Sequence, residues 1–148
     1  MRFLGNIEAR LDAKGRVFLP ATFRKVLQQE GEETLVLRKD VHQPCLVLYP
    51  QSSWNRRLDA LLSKVNEFDD DSQMVFRQYV SAAEEVTLDG NGRFLIPKRY
   101  MAMANLLQGV RFIGMNDTIE IWATEMTEQP FLSQEDFSSR LKAMMTAN

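Results

Sequence analysis

The sequence predicts an α+β protein with pseudo-twofold character, in which two duplicated strand–turn–strand–helix halves are joined by a helical hairpin and followed by a C-terminal helix. Three observations carry this expectation: a ten-residue segment that occurs twice, apolar alternation of period two ahead of it, and apolar residues at helical spacing behind it. Leu11-Asp12-Ala13-Lys14-Gly15-Arg16-Val17-Phe18-Leu19-Pro20 aligns without gaps with Leu88-Asp89-Gly90-Asn91-Gly92-Arg93-Phe94-Leu95-Ile96-Pro97. Leu, Asp, Gly, Arg and Pro are identical, and the three residues before each proline are apolar in both copies. A solenoid needs more than two repeats, so a duplicated domain is the natural reading.

Each element follows from local chemistry. Phe3, Gly5, Ile7, Ala9 and Leu11 alternate with Leu4, Asn6, Glu8 and Arg10, which places the first set on one face of a strand. Asp12 can accept hydrogen bonds from backbone N–H groups a few residues on, and Gly15 can supply a positive φ, so Asp-x-x-Gly reads as a turn. A strand then begins at Arg16, and Pro20 opens a helix whose Phe23, Val26 and Leu27 share a face and whose stop is Gly31. In the second copy Pro97 opens a helix with Tyr100, Met103, Ala104 and Leu107 at helical spacing, closed by Gly109.

Two hairpins are expected to follow these helices, from Leu35–Arg38 with Cys45–Tyr49 and from Val110–Met115 with Ile119–Ala123. Between the halves, Trp54, Leu58, Leu61, Leu62 and Val65 mark an amphipathic helix capped by Ser52 or Ser53. Asp69, Asp70 and Asp71 break it and suit the positive end of a helix over about Gln73–Ala83, packed through Met74, Val75, Tyr79 and Val80. Ser133-x-x-Asp136 ahead of Phe137, Leu141 and Met144 gives a last amphipathic helix, either a tail or an interface. The expected division is residues 1–50, first repeat; 51–83, helical hairpin; 84–125, second repeat; 126–148, C-terminal helix or tail.

Composition bounds the function. With 148 residues, 45% of them hydrophobic, the chain can bury a core without a disulfide or a metal. A single cysteine, Cys45, argues against a disulfide framework, and the cytoplasm is the expected location. Glu8 and Arg10 interrupt the start before an apolar stretch can grow, so neither a signal peptide nor a membrane span is expected. The formal net charge of −2 hides an uneven distribution. Residues 1–25 carry six basic side chains against two acidic ones, and residues 86–111 carry four against one. Both repeated motifs therefore lie in basic segments of an otherwise acidic chain, and local sign decides what a surface attracts within a Debye length of about 10 Å.

Enzyme chemistry finds little support. No nucleophile elbow, phosphate-binding loop, dinucleotide fingerprint or zinc-protease motif occurs, and His42 is the only imidazole. His42 reads as a turn residue, Cys45 as a small buried hydrophobe, and Asp69 to Asp71 as helix capping rather than a metal site. No cofactor, metal or small-molecule substrate is expected. What remains is the doubled Asp-x-x-Gly-Arg. A turn needs only Asp and Gly, yet arginine follows in both copies, so two related guanidinium groups point to recognition of a repeated target.

The motif, followed by three apolar residues, proline and a short helix, resembles the signature of AbrB-like swapped-hairpin DNA-binding domains. Two copies with a helical insert resemble the bacterial MraZ family. Gly5, Pro44-Cys45-Leu46, Leu48-Tyr49-Pro50, Trp54, Arg77, Gly114 and Glu120-Ile121-Trp122 also fall where that family has them, and the similarity spans about residues 1 to 125. Asn91 departs from the Lys14 of the first copy. The resemblance implies a pseudo-twofold β-barrel and a cytoplasmic, nucleoid-associated transcriptional regulator. It further implies a homo-oligomeric ring, an octamer or dodecamer, bound to short G-rich direct repeats in the promoter of the division and cell-wall gene cluster. On this reading Arg16 is the principal contact to double-stranded DNA, Lys14 and Arg10 add phosphate contacts, and Arg93 serves the second half. Asp12, Gly15, Asp89 and Gly92 build the turns, while Arg24, Arg77, Lys98 and Arg99 are helix-surface charges, with contact to DNA the alternative role of each. A ring-forming adaptor without specific DNA binding is the alternative reading, and an enzyme of the related double-psi barrel type ranks third.

Overall fold

The alternating start of the chain becomes strand β1 (Asn6–Arg10), and the apolar run behind the first turn becomes β2 (Arg16–Phe18). Residues 1–147 are described here by a computed structural model. Pro20 opens α1 (Ala21–Gln29), which buries Phe23 and Leu27 and ends as Gly31 takes φ +68°. Strands β3 (Thr34–Lys39) and β4 (Leu46–Pro50) form an antiparallel hairpin, followed by α2 (Gln51–Leu62) and α3 (Asp70–Ser81). The second half repeats the order with β5 (Glu84–Thr87), β6 (Arg93–Leu95), α4 (Lys98–Met103), β7 (Gly109–Gly114) and β8 (Ile119–Ala123). A short 3-10 turn, Thr124–Thr127, leads to α5 (Gln134–Thr146). The molecule is a mixed α+β fold.

The sheet order shows how the halves interlock. Six strands run β1-β7-β8-β4-β3-β5, so each half's first strand pairs with the other half's hairpin and the pseudo-twofold passes between β8 and β4. Among the described residues, strands β2 and β6 pair only with each other, with Arg16 opposite Leu95, Val17 opposite Phe94 and Phe18 opposite Arg93. The expected barrel is therefore corrected: among the described residues no ladder joins β1 to β5, and an open sheet is accompanied by a separate two-stranded ribbon. The physical reason lies in the turns, which lead β2 and β6 out of the sheet and leave their hydrogen bonds to one another.

Alternation decides which side chains enter the core. Leu35, Leu37, Leu46 and Leu48 face one side of the sheet with Val17, Phe94, Phe112 and Ile121. Val36, Val47 and Tyr49 face the other side and are covered by Trp54 of α2. Trp54 meets Tyr49 edge-on at 5.3 Å and stacks on Tyr79 of α3 at 5.4 Å, each pair contributing about 1 kcal/mol beyond area burial.

Four local expectations change. α4 stops at Met103 and does not extend to Gly109, because Asn105 adopts φ +56°; Tyr100, Ala104 and Leu106 are buried, while Leu107 is exposed. α3 begins at Asp70, three residues early, since Asp69 accepts from the N–H groups of Asp71 and Ser72 and so caps the helix from within the acidic run. Neither Ser52 nor Ser53 caps α2, which Pro50 opens; the Ser53 hydroxyl donates to the Asp117 carbonyl at 2.8 Å. Met74 and Val75 are exposed, so α3 docks through Tyr79 rather than through a broad apolar face.

Candidate functional site

The repeated motif folds the same way twice. Asp12 Oδ1 accepts from the backbone N–H groups of Lys14 and Arg16, each at 2.9 Å, while Oδ2 accepts from Arg16 Nε at 2.8 Å. Asp89 Oδ1 accepts from the N–H groups of Asn91 and Arg93, and its Oδ2 from Arg93 Nε, all at 2.9 Å. One carboxylate thus closes a turn and orients a guanidinium at the same time. Backbone donation from Arg16 and from Arg93 is the main reason that both carboxyls sit below the usual aspartate range. Gly15 and Gly92 take φ +86° and +83°, a region that L residues enter only at a cost.

The turns are clamped across the halves. Leu19 N–H donates to the Gly92 carbonyl at 3.0 Å, and Ile96 N–H donates to the Gly15 carbonyl at 2.9 Å. Each motif glycine therefore accepts from the strand that follows the other glycine. The β2–β6 ribbon that results has Val17 and Phe94 on its buried face and Arg16, Phe18, Arg93 and Leu95 on its outer face. Arg93 Cζ lies 5.8 Å from the centroid of the Phe18 ring. Because Nε of each arginine is held by aspartate, both terminal nitrogens of Arg16 and of Arg93 have no hydrogen-bond partner among the described residues. The side chains of Arg16 and Arg93 are 36% and 25% exposed. Such a face presents two pre-aimed planar donors and two apolar groups.

The remaining predicted residues fall at varying distances from this face. Lys14 is exposed at the tip of the first turn. Arg10 is exposed at the end of β1, where its Nη2 donates to Gln108 Oε1 at 2.9 Å. Arg99 is occupied elsewhere, paired with Glu84 at 3.0 Å and lying over the Tyr100 ring. Arg77 is on the helical hairpin beside Met74. Arg24 leaves α1 and lies against the second turn, where its Nη1 meets the Asn91 carbonyl at 3.5 Å. Sequence reasoning had no means of placing Arg24 there, because the contact joins opposite halves. Phe18 and Leu95 were also missed as surface groups, although their alternation with Val17 and Phe94 carries that signal.

Cys45 is fully buried, and desolvation pushes its thiol up to about 12. His42 lies in the β3–β4 turn, its N–H donating to Asp40 Oδ2 at 3.1 Å. Asp117 in the β7–β8 turn accepts from both terminal nitrogens of Arg57 at 2.9 Å and from Arg56 at 3.0 Å, and these bonds, Arg57 first, hold its carboxyl down to about 2. No described helix is long and apolar enough to cross a membrane.

Comparison with known proteins follows the same duplication. The "MraZ protein" family model, antitoxin-like in its description, matches twice, over residues 2–78 and 79–147. A protein of Phocaeicola vulgatus named transcriptional regulator MraZ is 57% identical over 148 residues, covering 100% of this chain and 96% of its own. One of the same name from Bacteroides thetaiotaomicron is 57% identical over 145 residues, covering 98% and 93%. A third, from Shewanella oneidensis, is 36% identical over 134 residues, covering 90% and 85%.

Proposed function

The chain belongs to the MraZ family, and from that premise we propose that it is a transcriptional regulator that binds double-stranded promoter DNA through the β2–β6 ribbon. Its relatives bear a regulator's name and not an enzyme's. One observation supports the reading above the others: two arginines on a solvent-facing ribbon, each oriented by an aspartate through Nε and each with both terminal nitrogens unpartnered among the described residues. A two-stranded ribbon fits the major groove of B-DNA, where an arginine can meet guanine O6 and N7 with two hydrogen bonds. Such a contact contributes about 1–3 kcal/mol of discrimination against a wrong base. Phe18 and Leu95 offer apolar contact to thymine methyl groups beside it.

In this reading Arg16 and Arg93 read bases in G-rich direct repeats, Lys14 and Arg10 contact phosphates, and Asp12, Asp89, Gly15 and Gly92 set the geometry. Residues 1–50 and 84–125 are the binding repeats, with 51–83 as connector. The protein acts in the nucleoid on the promoter of the division and cell-wall gene cluster. One subunit neutralises few phosphates and releases few counterions, so strong binding at physiological salt needs several subunits acting together in a homo-oligomeric ring. α5 supports self-association, because none of its residues is buried and Phe137, Leu141 and Met144 are exposed.

Arg16→Ala tests the proposal by fluorescence anisotropy on a labelled duplex carrying G-rich direct repeats. Affinity is expected to fall by about five- to 150-fold, in line with one lost bidentate contact of about 1–3 kcal/mol, while native mass and melting temperature stay at the wild-type values. Unchanged affinity in a variant that keeps its mass and melting temperature refutes the assignment.

A further inference from the structure

We infer that the second DNA-facing corner is a composite of both halves, with Arg24 from the first half's helix supplying the cation that the second turn's own sequence lacks. The inference rests on the proposed DNA binding and adds a contact residue to it. At the tip of the first turn stands Lys14; the matching residue of the second turn is Asn91, which carries no charge. Arg24 fills that deficit in space. Its Nη1 reaches the Asn91 carbonyl at 3.5 Å, and a side chain on Gly92 would overlap the guanidinium.

The matching helix position in the second half is Met101, whose sulfur lies against Gly15. Each glycine is therefore covered by the helix of the opposite half, by a thioether at the first turn and a cation at the second. Each corner thereby has a second cation beside its motif arginine, by different routes: Lys14 with Arg16, and Arg24 with Arg93.

Arg24 is not consumed by internal pairing. Asp89 and Glu32 line the same cleft of about 360 Å³, but Asp89 is engaged by Arg93 and Glu32 accepts from the Ser52 hydroxyl. The backbone carbonyl of Asn91 is the only hydrogen-bond partner of the Arg24 side chain among the described residues. A guanidinium half-buried against a surface turn, held by a neutral carbonyl and ion-paired with no carboxylate among the described residues although Asp89 and Glu32 line its cleft, keeps its positive charge available to a phosphate at the rim of the ribbon.

The alternative role is a neutral staple between α1 and the second turn, and Arg24→Gln separates the two because it keeps a donor for the Asn91 carbonyl while removing the charge. The full chain is titrated onto the labelled G-rich direct-repeat duplex across a salt series, with melting temperature recorded for each variant. Arg24→Gln is expected to weaken binding on the order of fivefold and to reduce the slope of log affinity against log salt by about one for each engaged subunit. Arg24→Lys should keep the wild-type slope, and Asn91→Lys added to Arg24→Gln should restore it. An unchanged slope in Arg24→Gln, with Arg16→Ala still impaired, overturns the inference and leaves the ribbon proposal standing. If Arg16→Ala is also unimpaired, the ribbon proposal itself has failed.

Discussion

The two Asp-x-x-Gly-Arg corners share the same internal hydrogen bonds, yet different groups lie on them: Met101 on Gly15 and Arg24 on Gly92. The two hairpin tips diverge in the same way. In the first half Asp40 closes its own turn by accepting from the N–H groups of His42 and Gln43, with Lys39 bonding to neighbouring carbonyls. In the second half Asp117 is gripped from outside by Arg56 and Arg57 of α2. The duplicated unit thus retains what a turn requires within itself and differs where each copy meets another element: the opposite half's helix at the corners and the inserted α2 at the second hairpin tip. One sequence pattern can set a local geometry while its neighbours decide its electrostatics.

Removing the external grip should produce the largest asymmetry between the halves. Asp117→Ala is expected to destabilise by about 2 kcal/mol, the linkage equivalent of a carboxyl held at about 2 in place of 3.8, whereas Asp40→Ala, which loses only local turn bonds, should cost less. Denaturant titrations at neutral pH compare them. The Asp117 contribution is complete above about pH 5, where the carboxylate is ionised whether the chain is folded or unfolded. It declines as pH falls from about 5 to about 2, and the pH dependence of Asp117→Ala should be flatter over that window.

The glycine pair sharpens the comparison at the corners. Gly15→Ala and Gly92→Ala each incur about 1–2 kcal/mol for a left-handed alanine. Gly15→Ala should cost the more, because its Cβ would stand 3.0 Å from the Ile96 carbonyl oxygen, a backbone atom, while at Gly92 the obstacle is the Arg24 side chain, whose Cδ and guanidinium can swing off the turn together. Melting temperatures test the order. The smallest expected effect comes from Lys14→Asn, which gives the first turn the second turn's residue. Affinity should fall a few-fold with a salt slope lower by about one per engaged subunit, with no change in melting temperature.

Local features were legible in the sequence and contacts between the halves were not. Asp12, Gly15, Asp89 and Gly92 state their turns outright, since few residue types satisfy those backbone demands. The β3–β4 and β7–β8 hairpins follow from apolar runs of strand length. The early stop of α4 was not legible, because Leu107 continues the helical spacing while Asn105, which enters the left-handed region, ends the helix ahead of it. The capping role of the acidic run was legible, but the boundary was not: the cap lies at Asp69, and Asp70 and Asp71 already belong to the first turn, three residues ahead of the expected start. Periodicity reports which face of a strand is apolar and says nothing about its partner, so the pairing of β2 with β6 and the open edge of the sheet stayed out of reach. The candidate site was half visible: its arginines stand in the motif, while Arg24 arrives from another element.

The exchange of carbonyl acceptors between Gly15 and Gly92 also bears on synthesis. Leu19 has its acceptor, and β2 its partner strand, only after residues 92 to 95 have emerged from the ribosome. Contacts so distant along the chain form late and slowly. A nascent first half must therefore wait with an unpaired ribbon, and a chain truncated before the second glycine should be recognised by proteases as unfinished.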